Sequence, residues 1–256
     1  MIIKLYKGEV ELDYEDAKHT YTDVKTGLVL NGVTSILKVV DKSDALVPWA
    51  VKMDLGYMKV CLLDPEMSGK WTQDKLDDLV DFAKKEHERS RDISAEFGTG
   101  VHALIEEYIK GGNPKAEDPL SQARLDNFMA TQKDMGFEFV QSERIVMSKE
   151  HQYCGTTDAL GYYKGEMYVF DIKTNTVKPP SKRSGIYPTY WYQTAAYQHA
   201  IQEEDGIELA GRILVRIGED GVEVGVVAGK EAFDKDFAAF LGAKALYNRN
   251  HELSKR

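Results

Sequence analysis

Several features are scarce or missing in this chain, and each absence excludes a class of protein. No apolar run approaches the ~20 residues that cross a membrane, and the first residues lack the apolar segment of a secretory signal peptide. The 256 residues contain only two cysteines, Cys61 and Cys154, far apart in the sequence. Two distant thiols are typical of a reduced cytosolic protein rather than a disulfide scaffold. We therefore expect a cytoplasmic protein that does not bind membranes.

Positive charge is also in deficit. The chain has 33 Lys and Arg residues against 42 Asp and Glu residues, which gives a net charge of −9. A protein that coats nucleic acid without sequence preference gains affinity by neutralising phosphates with basic side chains, so the composition disfavours a coat protein. An enzyme that acts on nucleic acid is not excluded, because metal ions offset an acidic site and one local basic strip can follow the backbone.

Linkers, internal repeats and low-complexity tracts are missing as well. A chain of 256 residues with 43% hydrophobic content is large enough for one sizeable core. We predict a single domain over residues 1–256, with a helical cap or insertion at 34–90, a catalytic core at 95–228 and a C-terminal helix at 231–250. The order of the predicted elements favours an α/β fold in which helices flank a central mixed sheet.

The sequence does contain a predicted hairpin that carries three functional groups. Segments rich in Tyr, Val and Phe flank Lys164 and Gly165, and the glycine supplies the positive φ of a tight turn. Asp171 and Lys173 are two apart in the second strand, so their side chains share one face of it. The hairpin is expected to bring Asp158, from the first strand, to the same place.

Two carboxylates and an ammonium group are the groups that metal-dependent phosphodiester cleavage requires. Carboxylate oxygens bind Mg²⁺ or Mn²⁺, which retain waters and also bind substrate phosphate. The ion makes a bound water a better nucleophile, and with Lys173 it offsets charge that develops on the phosphoryl oxygens. One alternative is an exposed Asp-x-Lys pair on a solvated sheet face. Another is a metal-dependent hydrolase of a small phosphate ester.

Two predicted helices add polar groups at helical spacing. His102 and Glu106 are four apart on one face of a helix that residues 98–100 open, so the imidazole can serve as a metal ligand. Gln193 and Tyr197 are also four apart, on a later helix, and can position a phosphate or a nucleotide. The alternatives are a histidine that is only hydrogen-bonded or exposed, and a tyrosine-rich helix that is simply core.

A basic and aromatic loop lies between the hairpin and the later helix. The segment TNTVKPPSKRSGIYPTYW contains Lys178, Lys182 and Arg183 next to several aromatic residues, among them Tyr190. Cations mixed with aromatic rings suit a nucleic-acid strand whose bases can stack. We expect these four residues and Gln193 to contact nucleic acid, and the alternative is a flexible solvated loop.

These motifs occur in an order that resembles the PD-(D/E)XK nuclease superfamily. GTGVH ends at His102, GTTD ends at Asp158, DIK covers residues 171–173, and QTAAY runs from Gln193 to Tyr197. They are similar to the G-x-x-x-H helix, the G-x-x-D strand, the D/E-x-K strand and the Q-x-x-x-Y helix of the RecB-like group. That group includes phage exonucleases, the mitochondrial genome maintenance exonuclease and the Cas4-like nucleases. Each motif is short, and the resemblance depends on their order and spacing over about residues 95–200.

The resemblance implies a restriction-endonuclease-like core and a set of site residues. The implied metal ligands are His102, Asp158, Asp171 and the carbonyl of Ile172. The implied catalytic and accessory side chains, to which we add Glu106 from the face of His102, are Asp158, Asp171, Lys173, Glu106, Gln193 and Tyr197. Glu143, in the preceding strand, is where such proteins sometimes place another acidic residue. Its alternative interpretation is a surface salt bridge with the neighbouring arginine on an edge strand.

The resemblance also implies the activity. It indicates a DNA nuclease dependent on Mg²⁺ or Mn²⁺, and more specifically an exonuclease that acts on single-stranded DNA or duplex ends in recombination, replication or DNA degradation. A recombination or replication protein is an expected partner. The alternatives are a structure-specific or nicking DNA endonuclease, and a catalytically silent nucleic-acid-binding subunit with the same fold.

Two further features refine this expectation. The segment LNGVTSILKVVDKSDALVPWAV resembles the beginning of phage-type members of the group, which implies a phage origin and a location in the host cytoplasm. Cas4-like nucleases bind an iron–sulfur cluster through four cysteines, and two cysteines cannot build one. We therefore expect no iron–sulfur cluster.

Overall fold

The structure is a computed structural model that describes residues 1–15, 20–40, 43–174, 185–219 and 221–254. Its strands, in chain order, are β1 (Ile2–Leu5), β2 (Val10–Glu15), β3 (Thr20–Asp23), β4 (Val29–Gly32), β5 (Glu138–Ser148), β6 (Tyr153–Tyr163), β7 (Glu166–Thr174), β8 (Gly211–Gly218) and β9 (Gly221–Ala228). Its α-helices are α1 (Val33–Ile36), α2 (Ser43–Leu62), α3 (Gln73–Ala83), α4 (Glu86–Ile109), α5 (Pro119–Met135), α6 (Pro188–Asp205) and α7 (Lys230–Ser254).

The nine strands within the described ranges form one mixed sheet. The strand order is β1-β2-β3-β4-β6-β7-β8-β9, and β5 pairs with β6 beside this path. The β4/β6 and β7/β8 pairs are parallel, and the other pairs are antiparallel. Helices α5, α6 and α7 pack against the strands. The predicted α/β class, with a central mixed sheet flanked by helices, is therefore confirmed.

The sheet divides at β6. Strand β5 pairs with β6 over nearly its whole length, and β4 pairs with its first two residues. Strand β7 pairs with β6 only from Ala159 onward, opposite Phe170, and the later residues of β7 pair with β8 instead. Asp158 and Asp171 are the next residues on the two separating strands. The sheet fork, as we call this point, places both carboxylates where backbone pairing between β6 and β7 has just ended.

The turn of the β6–β7 hairpin lies at Lys164 and Gly165, as the sequence predicts. Their φ values are 53° and 82°. Positive φ at both central residues is typical of the type I′ turn, whose twist matches that of the flanking strands. The turn therefore fixes the register that places the hairpin carboxylates.

Helix α6 packs closely against the sheet because its inner face is built from small side chains. Ala195, Ala196 and Ala200 are fully buried, together with Ile201. Ala196, Ala200 and Ile201 pack in one core cluster with four residues of the sheet: Val146, Tyr153, Leu160 and Val169. Polar side chains at the edges of this face are therefore held close to the strands.

The predicted start of the His102 helix at residues 98–100 is wrong. Helix α4 begins at Glu86 and runs without interruption through Gly98 and Gly100. Glycine in a helix interior costs about 1 kcal/mol relative to alanine. Burial of Val101 and Ile105, at 0% and 1% exposure, offsets that cost.

The chain forms two compact units. One consists of Asp41–Thr99, and the other of Met1–Val40 with Gly100–Arg256. The second unit contains the whole sheet and every candidate site residue that the structure describes. The single domain and its parts at 34–90, 95–228 and 231–250 stay predictions. Among the described helices, none is long and apolar enough to cross a membrane.

Candidate active site

Asp171 is the centre of the candidate site. It lies on β7 at the sheet fork, and only 1% of its side chain is exposed. Its Oδ1 accepts hydrogen bonds from Lys173 Nζ at 2.9 Å and from Gln193 Nε2 at 3.1 Å. Its Oδ2 lies 2.7 Å from the same Lys173 nitrogen. The predicted two-residue spacing thus produces an ion pair between a buried carboxylate and a partly exposed lysine, and the later helix reaches it as expected.

Asp158 approaches the same point from β6. Its Oδ2 accepts a hydrogen bond of 2.5 Å from the backbone amide of Ile172. That amide lies just beyond the last β6–β7 pair, so the carboxylate replaces the partner that the ladder no longer supplies. The other oxygen, Oδ1, lies 4.0 Å from Nδ1 of His102.

His102 reaches the fork from α4. The carbonyl of Ile172 is close enough to its ring to favour the protonated imidazole. Burial, and then the positive charge of Lys173, lower the pKa of His102, while Asp171 and the carbonyl act in the opposite direction. The imidazole is therefore neutral near pH 7, which is the form that can bind a metal ion.

The charges in this cluster oppose one another. Burial raises the pKa of Asp158, and it raises the pKa of Asp171 to about 6, although the Lys173 charge acts in the opposite direction on both. Burial alone would lower the pKa of Lys173, but the two carboxylates outweigh it and the pKa is raised. Lys173 is therefore an ammonium group at neutral pH, and the two carboxylates carry their charges at an energetic cost.

Gln193 and Tyr197 form a support behind Asp171. Gln193 Nε2 donates to Asp171 and also lies 3.0 Å from the hydroxyl of Tyr197. The ring of Tyr197 packs on β6 at Gly155, where an added Cβ would lie 2.5 Å from Tyr197 Cε1. Glycine three residues before Asp158 is therefore required for the tyrosine to lie there, a connection between two motifs that the sequence analysis missed.

Glu143 lies next to Asp158 on the neighbouring strand. The protein around it, and then the charges of Asp158 and Glu106, raise the pKa of Glu143 to about 7, although the residue as a whole is exposed. Arg144, the presumed surface partner, instead binds Asp205 and Glu204 of α6. The alternative of a Glu143–Arg144 salt bridge is therefore wrong.

The remaining predicted residues are placed less centrally. Glu106 pairs with Lys110, which directly follows the end of α4, and the charge of Glu106 contributes to the raised pKa of Glu143. The Tyr190 ring lies 5.1 Å from Lys173 Nζ, in cation–π range. The other predicted nucleic-acid contacts lie outside the described residues: Lys178, Lys182 and Arg183.

The side chains at the fork fit a divalent cation in their chemistry. Asp171 Oδ2 is buried and accepts no hydrogen bond from any residue that the structure describes, despite its ion pair with Lys173. Carboxylate oxygens beside a neutral imidazole suit Mg²⁺ or Mn²⁺. The carboxylates are not arranged around a common point as metal ligands would be. The Ile172 amide donates to one oxygen of Asp158, and Lys173 donates to Asp171.

A different group does have closely spaced ligand atoms. Glu150, His151 and His199 each offer one such atom, and the three atoms lie within 4.8 Å of one another. The sequence analysis missed this carboxylate and histidine group. No local spacing indicates it, because its two histidines lie on separate elements far apart in the chain.

Comparisons with known proteins give little further information. No family model matches the chain, and no curated protein matches it. A crystal structure of a putative exonuclease from Eubacterium rectale is similar over 60% of this chain and 66% of the other, at 13% identity and a TM-score of 0.40. The protein SSO0001 is similar over 46% of this chain and 56% of its own, at 17% identity and a TM-score of 0.28. This chain therefore spans less than two thirds of the length of each.

Proposed function

We propose that this chain is a Mg²⁺- or Mn²⁺-dependent DNA nuclease with a restriction-endonuclease-like core, a member of the RecB-like group of the PD-(D/E)XK superfamily. The observation that carries the proposal is the ion pair of the buried Asp171 with Lys173 at the sheet fork, with Asp158 beside it. Opposed charges buried in this way are costly to maintain, and strongly shifted pKa values are typical of catalytic sites.

In this proposal the ion is held by four groups: His102, Asp158, Asp171 and the Ile172 carbonyl. The bound ion supplies Lewis-acid activation of the phosphoryl oxygen and lowers the pKa of water. Because its pKa is raised, Lys173 acts as a proton-bearing cation that stabilises the charge of the transition state and orients the attacking water. Gln193 holds Asp171 in place, and Tyr197 in turn contacts the Gln193 amide.

The proposed substrate is DNA with a free end. Tyr190 stacks with a base close to Lys173, and Lys178, Lys182, Arg183 and Gln193 contact the phosphate backbone. An exonuclease is preferred over an endonuclease because the motif resemblance is to RecB-like exonucleases. The proposed setting is recombination, replication or degradation of phage or host DNA in the cytoplasm, together with a recombination or replication protein.

The test is a gel assay on purified protein with end-labelled single-stranded DNA, blunt duplex DNA and closed circular DNA. We expect loss of the linear substrates with Mg²⁺ or Mn²⁺, no loss with EDTA, and intact circles. Nicked circles would instead support the structure-specific or nicking endonuclease. Binding of DNA without cleavage under any metal condition would contradict the enzyme and support the silent binding subunit.

A further inference from the structure

A second polar cluster lies away from the sheet fork. His151 lies two residues before the start of β6, and Asp158 lies seven residues further along the chain. At ~3.3 Å per extended residue, the two positions are roughly 20 Å apart. The cluster of Glu150, His151 and His199, which we call the histidine cluster, is therefore separate from the candidate active site. An inference about it does not depend on the proposed nuclease.

The surroundings of His199 fix the orientation of its ring. The ring stacks on Phe237, with centroids 4.2 Å apart and planes inclined by 11°, and its centroid lies 5.0 Å from that of His151. The Tyr153 hydroxyl lies 3.3 Å from Nδ1 of His199, and Glu203 Oε2 lies 3.7 Å from the same atom. The imidazole is thus held between an aromatic ring on one element and polar groups on two others.

These contacts also determine which nitrogen carries the proton. The Tyr153 hydroxyl donates its hydrogen to the Ala196 carbonyl at 2.8 Å, so it can only accept from His199 Nδ1. The carboxylate of Glu203 is an acceptor as well. Nδ1 therefore bears the hydrogen, and the lone pair is on Nε2. Histidine ligands of metal ions usually donate their other N–H to a partner in this way.

The turn that carries the other two residues is anchored to α6. Glu203 accepts hydrogen bonds from the Ser148 hydroxyl at 2.6 Å and from the backbone amides of Lys149 and Glu150 at 2.9 and 3.1 Å. His151 Nε2 lies 3.7 Å from the carboxylate of Glu150. The backbone of the turn is therefore fixed, whereas the Glu150 side chain is 69% exposed and free to rotate toward an ion.

We propose that the histidine cluster is a site for Zn²⁺ or a similar transition metal, with water as the fourth ligand, that ties the β5–β6 turn to α6. Two imidazoles and a carboxylate are a common zinc ligand set, and imidazole disfavours Mg²⁺ and Ca²⁺. Tetrahedral coordination at ~2.1 Å places ligand atoms roughly 3.4 Å apart, so the side chains close around the ion from their present spacing. Rotation of Glu150 supplies the largest movement.

The test is a titration of the full chain, freed of any affinity tag, with Co²⁺ and Zn²⁺ in excess Mg²⁺. We expect one tightly bound Co²⁺ with the visible absorption bands of four-coordinate cobalt, displaced by Zn²⁺. His151→Ala and His199→Gln each weaken binding more than ~100-fold, since loss of a mere supporting contact already costs 10–100-fold. Zn²⁺ at about 100 times its Kd raises the Tm by roughly 5–10 °C.

Two histidine variants serve as matched controls. His251→Ala removes a histidine of α7, and His102→Ala removes the histidine at the sheet fork. His251→Ala should bind Co²⁺ and Zn²⁺ as the unmodified chain does, and His102→Ala should keep the cobalt bands of the histidine cluster. The proposal is overturned if the unmodified chain binds neither ion, if folded His151→Ala protein binds Zn²⁺ with unchanged affinity, or if His102→Ala alone abolishes the cobalt spectrum.

Discussion

The sheet fork and the histidine cluster draw on the same two elements, β6 and α6, but differ in what surrounds them. At the fork, Asp171 is buried, with 1% of its side chain exposed, and it pairs with the opposite charge of Lys173, which is 22% exposed. In the histidine cluster, the imidazoles are exposed to a similar degree, at 24% and 18%, and the Phe237 ring, the Tyr153 hydroxyl and the Glu203 carboxylate surround His199. Helix α6 thus contributes to both regions. The opposed charges at the fork are suited to catalysis, and the fixed rings of the histidine cluster are suited to a structural role.

The two regions also respond to pH in opposite directions. Burial raises the pKa values of Asp158 and Asp171 above their ordinary range. The stability that their protonation provides is therefore present at low pH, and it is lost as the pH rises through the pKa values that they have in the folded protein. Burial and the neighbouring His151 lower the pKa of His199, so stability there is lost as pH falls. Lowering the pH therefore stabilises the fork and destabilises the histidine cluster.

The largest effect is expected at Lys173. Lys173→Gln keeps a polar side chain, shorter by one atom, but removes the charge that offsets the transition state, so we expect cleavage to fall about 100–1000-fold. Initial rates on linear DNA with Mg²⁺ measure this. Lys230→Ala, which removes an exposed lysine of α7, should leave the rate unchanged. A folded Lys173→Gln protein with near-normal rates would refute the assigned role.

The second effect is expected at Gln193, which touches Asp171 but not the reacting groups. Gln193→Ala frees the Asp171 carboxylate to turn, so we expect the Mg²⁺ concentration for half-maximal activity to rise about 10-fold, with a smaller change in kcat. Gln122→Ala, which changes a glutamine near the start of α5, is the control. An equal loss of kcat at saturating Mg²⁺ would mean that Gln193 acts in the chemical step instead.

A third and smaller effect is expected at Glu143. Because its pKa is about 7 and that of Asp171 is about 6, protons compete with the ion, and the metal requirement should rise as pH falls from 8 to 6. Glu143→Gln should remove the inflection near pH 7 and keep the lower one. Mg²⁺ titrations at several pH values measure this. Unchanged curves in the variant would show that Glu143 does not sense the ion.

Local sequence patterns predicted which residues of the β6–β7 hairpin lie together at the fork, but they did not predict contacts between residues distant in the chain. The period of two in β7 and the Lys164–Gly165 turn are local properties, so they placed Asp171 and Lys173 correctly. The predicted start of α4 was wrong because burial of Val101 and Ile105 outweighs the low helix propensity of the glycines at positions 98 and 100.

The contacts that sequence reasoning missed join residues distant in the chain. Gly155 is needed for the ring of Tyr197, and His151 meets His199 only because the β5–β6 turn folds onto α6. Neither pair shares a helical or strand period, so neither leaves a local signal. The motif order therefore showed which residues meet at the fork, but not why each is held there.

The smallest effect is expected beside the histidine cluster, at Tyr153. Tyr153→Phe removes the donor to the buried Ala196 carbonyl and the acceptor for His199 Nδ1, so the free energy of unfolding should fall by about 1 kcal/mol. Chemical denaturation of the metal-free protein measures this, with Tyr163→Phe as a control expected to stay within about 0.5 kcal/mol. DNA cleavage should not change, because the hydroxyl touches nothing at the fork. If Tyr153→Phe impaired cleavage as strongly as Gln193→Ala, the two regions would be coupled through α6 and could not be treated as separate sites.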